Sequence, residues 1–348
     1  METNLIERIK NKATKLPKDN LGLFTGKSGS ILIMYVLNRQ FKDPELKKIA
    51  DTLLKEVMED AISLHNLTFD KGLLGIGCAV NYLLANGYVE GNPDDLLSDI
   101  DALLYKTLKD KNVKIGISCS TGLIGILIYL VERIVVSTNR ESLNYKLKMA
   151  ALREVVNKLE QAMPTQFVGI TKDVYTSIIF NYPILFIYLK KAIDLNIYSS
   201  KILCMVQTWT LYMGSYIPYY NINKLYMLVA LAYLNTLAND ELLNKQISLL
   251  IFSFDFNIML NEIDSKIMNI NEGYAFVAIL LYSAENLFHG TEFEVKCHNF
   301  RKELCAKHNH LYKQYLNNIP EKNFNLNLIN GFLGIELLNT LYPDVLKP

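Results

Sequence analysis

The stretch Phe69-Asp-Lys-Gly-Leu-Leu-Gly-Ile-Gly-Cys-Ala-Val-Asn-Tyr-Leu-Leu84 decides the fold, because versions of it recur along the chain. Each version places a glycine-bearing turn before an apolar run that is too continuous for a surface helix. The first glycines of the recurring units are Gly26, Gly72, Gly122 and Gly331. The first three lie 46 and 50 residues apart, a spacing that is typical of stacked helical repeats.

The second glycine of these units predicts crowding at one end of each buried helix. Gly72 and Gly75 are three residues apart, so they share one helix face and leave room there for a neighbouring backbone. Glycine inside a helix costs about 0.5–1 kcal/mol relative to alanine. Its return at the same place in several units therefore indicates close packing and not a set of isolated turns.

A second kind of helix alternates with the buried kind. Asp43-Pro44 and Asn92-Pro93 each supply an N-cap and a first-turn proline, and each opens a segment that is charged on one side and apolar on the other. The two prolines are 49 residues apart, which matches the glycine spacing. Amphipathic helices are predicted over about 45–64, 94–109 and 142–161, the last ending before Pro164.

The same alternation continues to the end of the chain, although the glycines become rare. Further buried helices are predicted over about 184–192, 225–237 and 273–286 and from 331 onward, and outer helices over about 4–16, 199–213, 240–252 and 292–316. The pattern amounts to about seven helical hairpins. Because it starts with an outer helix and ends with an inner one, we predict an all-α fold, an α/α toroid, as a single domain over 1-348. The loops that enter the inner helices would line its central bowl.

Composition excludes several classes of function. Half of the residues are hydrophobic and the formal net charge is +1 without a basic cluster, so we expect no nucleic-acid partner. No apolar run reaches the length of about 18 residues that a membrane span needs, and the N-terminus does not resemble a signal peptide. The five scattered cysteines suggest reduced thiols and a cytoplasmic location.

The Gly-x-x-Gly-Ile units at Gly72, Gly122 and Gly331 resemble the lanthionine synthetase C-like (LanC-like) family over essentially the whole chain. The resemblance implies an α/α toroid. For active members it also implies cyclisation of ribosomally made peptides, in which zinc activates a substrate cysteine thiol for addition to a dehydrated serine or threonine. Cysteine and histidine ligands suit zinc in that role.

This chain departs from the family pattern at the entries where the resemblance places the zinc ligands. At the fifth entry, Tyr219-Tyr-Asn-Ile-Asn223 stands in place of a Trp-Cys-Tyr-Gly-like segment. At the sixth entry, Asn269-Ile-Asn-Glu-Gly273 stands in place of a Cys-His-Gly segment. At the fourth entry, Phe180-Asn-Tyr-Pro183 replaces the segment with the catalytic histidine, and Ser118 lies near the usual aspartate of the third. We therefore predict no metal site and no catalytic residue. The candidate substrate-binding residues are those of the entries: Ser118, Cys119, Asn181, Tyr182, Tyr220, Asn221, Asn223, Asn271 and Glu272.

Two groups of cysteine and histidine residues need a separate interpretation. Cys297-His298, Cys305, His308 and His310 form the only dense cluster of soft ligands in the sequence. Because the surrounding helix is rich in charge, we predict that this cluster lies on a solvated face. Cys119 is predicted to be a structural thiol and not a nucleophile, since no histidine is near it in the sequence.

Two main classes of function remain open. The first is a LanC-like pseudoenzyme of lanthipeptide biosynthesis, without a cofactor, that binds a precursor peptide or a peptide-modifying enzyme in the bowl. The second is an active zinc-dependent lanthionine synthetase whose ligands lie elsewhere in the fourth and fifth repeats. A third, a glycan-processing toroid, would need paired carboxylates, for which Glu272 with Asp70 or Asp173 are the candidates.

Overall fold

The computed structural model describes residues 2–167, 181–213, 217–263, 267–320 and 324–347, and all regular elements in these ranges are α-helices. In chain order they are α1 (Glu2–Ala13), α2 (Lys27–Phe41), α3 (Pro44–Ala61), α4 (Leu73–Ala85), α5 (Pro93–Leu96), α6 (Ser98–Lys109), α7 (Leu123–Val135), α8 (Leu143–Phe167), α9 (Asn181–Asp194), α10 (Ser199–Met213), α11 (Asn221–Ala238), α12 (Glu241–Phe252), α13 (Phe256–Glu262), α14 (Tyr274–Leu287), α15 (Glu292–Asn318) and α16 (Phe332–Leu341). Not one of these described helices combines the length and the apolar character that crossing a membrane requires.

The helices form two compact units. Unit 1 consists of Met1–Val155 and Lys313–Pro343, and unit 2 of Val156–Tyr312 and Asp344–Pro348. In unit 1 the inner helix α2 packs against α4 and α16, and α4 packs against α7; in unit 2 the inner helix α11 packs against α9 and α14. The predicted all-α class, with inner helices alternating with outer ones, is confirmed. Within unit 1, the last predicted inner helix, α16, thus packs against the first, α2. The single domain over 1-348 stays a prediction.

The outer helices begin largely where their caps predict. Asp43 Oδ1 accepts hydrogen bonds from Glu45 N at 3.0 Å and Leu46 N at 2.9 Å, and Pro44 is the first residue of α3. Asn92 caps in the same way but opens only the short α5. The chain breaks at Leu97, which is 1% exposed, before α6 begins. The helix predicted over 94–109 is therefore observed as two helices, with the buried Leu97 between them.

The predicted end of the third amphipathic helix before Pro164 is wrong. Helix α8 continues through this proline to Phe167. Pro164 has no N–H to donate to the helix, and its ring crowds the carbonyl of the residue four positions earlier, but it lies within the last turn of α8. Met163, just before it, is fully buried.

An ion pair between α1 and α3 predicts a pH-dependent stability. Asp43 Oδ2 lies 2.8 Å from Lys10 Nζ, and the hydrogen bond from Lys10, together with the backbone N–H of Leu46, lowers the pKa of Asp43. Asp43→Asn keeps the cap but loses the charge, so we expect it to reduce the free energy of unfolding by about 1 kcal/mol at pH 7.

Because the pKa of Asp43 is lower in the folded state, its stabilising effect is complete above the unfolded pKa and is lost as pH falls through the folded value. Urea denaturation of both proteins between pH 7 and pH 3 should show the difference shrinking below about pH 4. A difference that stays constant over this range would contradict the assignment.

Candidate functional site at the entries to the inner helices

The recurring first glycine lies at the N-cap of an inner helix and allows the entry loop to fold back over the helix end. A Cβ atom on Gly72 would lie 2.3 Å from the carbonyl oxygen of Asn66. The next amide, Leu73 N, donates to the same oxygen at 2.8 Å. The same closure is repeated at the entries of α2, α7, α14 and α16, whose N-caps are Gly26, Gly122, Gly273 and Gly331. Any side chain at these positions would displace the loop.

The second glycine makes room for two entry loops at once. A Cβ atom on Gly75 would lie 2.1 Å from Phe69 O in its own loop and 2.9 Å from Leu23 Cβ in the entry of α2. On Gly125 it would lie 2.7 Å from Phe69 Cβ in the entry of α4. The predicted crowding is therefore present. The closest backbone belongs to the helix's own loop, and the neighbouring entry contributes a side chain.

Backbone hydrogen bonds join four entries of unit 1 in order. Leu328 N donates to Phe24 O at 2.8 Å, Phe24 N to Asp70 O at 3.1 Å, and Asp70 N to Ser120 O at 3.0 Å. These bonds link the loops before α16, α2, α4 and α7. We call residues 20–26, 66–72, 116–122 and 325–331 the unit 1 rim. These four loops are held in place by hydrogen bonds to one another.

Ser118 and Cys119 belong to this rim. Ser118 Oγ lies 2.9 Å from Thr121 Oγ1 and accepts a hydrogen bond from Thr121 N at 3.1 Å, while Cys119 is half-buried. Burial, with the neighbouring carboxylate of Asp70, raises the pKa of the Cys119 thiol to about 12. The thiol is therefore protonated at neutral pH, which favours the structural role predicted for it.

The fourth entry is described only from residue 181 onward. Asn181 is the first residue of α9, and Tyr182 N donates to the Tyr226 hydroxyl at 3.1 Å. Burial raises the pKa of Tyr182 to about 12, so its hydroxyl is protonated at neutral pH. Phe180 and Asp173 lie outside the described residues. The carboxylate pairing of Glu272 with Asp70 or Asp173 therefore stays a prediction.

At the fifth entry, Asn221 is bonded within the protein. Its backbone N–H and its Nδ2 donate to Glu262 Oε1 at 3.0 and 3.3 Å, and its Oδ1 accepts from Asp255 N at 2.9 Å. Ile222 N donates to Glu262 Oε2 at 3.0 Å. Glu262 thus caps α11, where a carboxylate is favourable against the helix dipole. Sequence reasoning missed it, because no local pattern connects two residues 41 positions apart.

The other candidate residues of the fifth and sixth entries are an exposed residue, Tyr220, and three half-buried ones, Asn223, Asn271 and Glu272. Tyr220 is 40% exposed and makes an edge-to-face contact with Tyr219 at 5.3 Å. Asn223 Oδ1 is buried and has no hydrogen-bond partner among the described residues. Asn271 and Glu272 are half-buried, and their N–H groups donate to Asn269 Oδ1 at 3.0 and 3.1 Å.

The residues at these two entries do not fit a zinc site. Zinc in proteins prefers thiolate and imidazole ligands, whereas Asn221, Asn271 and Glu272 offer an amide, an amide and a carboxylate. Both amide atoms of Asn221 are already hydrogen-bonded to other residues. Within the part of the chain that the structure describes, no three His, Cys, Asp or Glu side chains are arranged to hold a metal ion.

The prediction that the cysteine and histidine cluster of α15 is solvated is wrong for three of its members. Cys297 and Cys305 are 0% exposed and His308 is 1% exposed. The C-terminal segment 344–347 covers this face, since Arg301 Nη1 donates to Asp344 O at 2.6 Å and Val345 O at 3.0 Å. Burial lowers the pKa of His308, which therefore stays neutral beside the stacked Tyr312 ring, 5.7 Å away.

Comparison with known proteins agrees with the sequence pattern. Residues 3–148 match the family model described as lanthionine synthetase C-like protein. This part of the chain contains the first three glycine units, and the family that it matches is the one that the sequence predicts. Among solved structures, nisin cyclase is similar with 12% sequence identity and a TM-score of 0.43, over 99% of this chain and 95% of that one. A search of curated proteins found no match.

Proposed function

We propose that this chain is a LanC-like protein of lanthipeptide-type maturation that binds a precursor peptide, or the enzyme that modifies it, and does not itself close the thioether ring. One observation carries the proposal. The residue at the fifth entry, Asn221, is 4% exposed and bonded on both sides of its amide to the segment that contains Asp255 and Glu262. It supports the fold where a cyclase would need an accessible soft ligand.

The entries suit recognition of an extended peptide. The unit 1 rim offers hydroxyl groups from Ser118, Ser120 and Thr121. In unit 2, Tyr219 is 77% exposed and Tyr220 40%, and tyrosine supplies contact area with little loss of conformational entropy. Backbone hydrogen bonds between the loops of the unit 1 rim fix their positions before binding, which reduces the entropic cost of binding.

Zinc analysis tests the absence of cyclase chemistry. Protein purified without chelators and then dialysed should retain substoichiometric zinc, measured by mass spectrometry of the metal. It should also leave the thiol of a dehydrated cysteine-containing peptide free to react with iodoacetamide. The active cyclase would be supported by three results together. The protein would hold one zinc per chain, the variant Asn271→Ala would lose it, and the peptide thiol would no longer react with iodoacetamide.

Peptide binding tests the positive part of the proposal. A displayed library of peptides containing Ser, Thr and Cys should yield peptides that bind the wild type. The best of them, labelled with a fluorophore, should bind Tyr220→Ala about tenfold more weakly than the wild type, as expected for an aromatic anchor. Tyr212→Ala, at a tyrosine that is 44% exposed on the outer helix α10, is the matched control. Failure to select any binder, or equal affinity of the two variants, would count against peptide recognition at this entry.

A further inference from the structure

A small pocket lies at the surface of unit 2, between the loop that follows α12 and the start of α15. Its lining combines three aromatic rings with three charged side chains: Phe254, Phe256, Phe293, Asp255, Glu292 and Lys296. Its volume of about 330 Å³ is at the lower end of the range of about 300–1,000 Å³ that is usual for ligand sites. The pocket therefore suits a single large side chain.

Contacts among the rings hold the aromatic wall of this pocket in place. The Phe254 ring meets the rings of Phe256 and Phe293 edge to face, with centroids 4.7 and 6.0 Å apart. Phe256 also packs against Phe300, at 5.1 Å. Phe293 and Phe300 are buried, whereas Phe254 and Phe256 are half-buried, so part of the wall is open to a ligand. Because the wall is already formed, a side chain that enters pays little for its reorganisation.

The charged side chains of the pocket carry one more negative charge than positive. Glu292 Oε1 and Lys296 Nζ form an exposed ion pair at 2.7 Å, so Asp255 supplies the excess. Asp255 Oδ1 accepts hydrogen bonds from Asn257 N at 2.8 Å and Ile258 N at 3.0 Å, which fixes this carboxylate at the start of α13. Aromatic rings beside an excess carboxylate favour an aromatic side chain that has a cationic neighbour.

The pocket adjoins the fifth entry. Asp255 N donates to Asn221 Oδ1 at 2.9 Å, and Asn221 directly follows the exposed Tyr220. Lys224 Nζ donates to Ser253 O at 2.7 Å, so the loop that carries Phe254 is fixed to the first turn of α11.

We propose that this pocket receives an aromatic side chain of the precursor peptide, with a lysine or arginine next to it in that peptide lying beside Asp255. The aromatic side chain gains edge-to-face contacts with the open ring surface in addition to burial. That the side chain belongs to a precursor peptide rests on the proposed function, whereas the preference of the pocket for an aromatic residue beside a basic one does not.

The dipeptide acetyl-Phe-Lys amide tests the pocket directly by saturation-transfer NMR on the full-length chain. Its phenyl protons should receive saturation from the wild type, and acetyl-Ala-Lys amide should give little transfer. Asn257→Trp, at an exposed residue of the pocket lining, should fill the space and weaken binding of acetyl-Phe-Lys amide at least about tenfold. Lys302→Trp, at an exposed position of α15 outside the pocket, is the matched control and should bind like the wild type.

A second variant tests the charge and does not depend on the folding of Asn257→Trp. Lys296→Gln removes the cation of the pocket and releases Glu292 from its pair, so acetyl-Phe-Lys amide should bind about threefold more tightly, as expected for an exposed charge. Lys302→Gln should leave its affinity unchanged. The gain in Lys296→Gln should disappear at high salt.

The pocket would be overturned if acetyl-Phe-Lys amide failed to bind the wild type, or if Asn257→Trp and Lys302→Trp bound it equally. An unchanged affinity in Lys296→Gln would remove the basic neighbour from the proposal. A selected peptide that depends on Tyr220 but binds Asn257→Trp as tightly as the wild type would leave the proposed function in place and remove the pocket from it. If the library yields no peptide while the dipeptide binds as expected, the proposed function fails and the pocket stands.

Discussion

Replacing Arg133 with leucine is expected to lower the free energy of unfolding by about 3–5 kcal/mol. Arg133 and Asp101 are both 0% exposed, and Arg133 Nη2 lies 2.8 Å from Asp101 Oδ2 and 3.1 Å from Asp94 Oδ1. Asn81 Oδ1 accepts a further hydrogen bond from Nη1 at 3.2 Å. Leucine would fill part of the space but leave the Asp101 carboxylate buried without its cation, and an uncompensated buried charge is what makes such a change costly.

Chemical denaturation monitored by circular dichroism would measure this loss. Lys146→Leu is the matched control, because its pair with Glu141, at 3.3 Å, is exposed on both sides and contributes about 0–1 kcal/mol. Adding Asp101→Leu to Arg133→Leu should recover part of the stability, since the pair is then absent as a whole. If Arg133→Leu were as mild as Lys146→Leu, the buried network would not stabilise unit 1.

Replacing Gly75 with leucine is expected to lower the free energy of unfolding by about 3 kcal/mol or more, at or beyond the upper end of the usual cost of overpacking. The first added carbon alone would lie 2.1 Å from Phe69 O. That oxygen cannot move away freely, because Phe69 N is bonded to Ser120 O at 2.8 Å across the rim. The variant must therefore disturb both the entry of α4 and its bond to the entry of α7.

Gly116→Leu provides the control for this substitution. A Cβ atom at Gly116 would meet no atom within 4 Å, so this variant should differ from the wild type by no more than about 0.5 kcal/mol. Thermal unfolding of the three proteins would compare them directly. A melting temperature of Gly75→Leu that equals that of Gly116→Leu would contradict the close approach of the entry loops.

Much of the helical framework could be predicted from local signals. The outer helix predicted over 199–213 is observed as Ser199–Met213, and Asp43 caps α3 as expected. The errors lie beside buried residues. The helix predicted over 94–109 is interrupted at the buried Leu97, and α8 continues past Pro164, next to the buried Met163.

The candidate site was predictable in its location and less so in its contacts. Glycine at the N-cap marks the entries of α2, α4, α7, α14 and α16, because there only a residue without a Cβ atom permits the loop to close over the helix end. The roles of individual side chains depend on partners far away in the chain. Asn221 is bonded to Glu262, 41 residues later, and the α15 cluster is buried under the segment 344–347, to which Arg301 donates.

The sequence alone determined the family resemblance, the alternation of inner and outer helices and the position of the entries, since apolar periodicity, caps and glycine spacing act within a few residues. Only the tertiary structure decided that α13 closes over the first turn of α11, that Asn221 belongs to that closure, and that Cys297, Cys305 and His308 are buried. The reason is physical: a hydrogen bond or a covered face depends on which distant groups packing brings together, and the local order of residues does not contain that information.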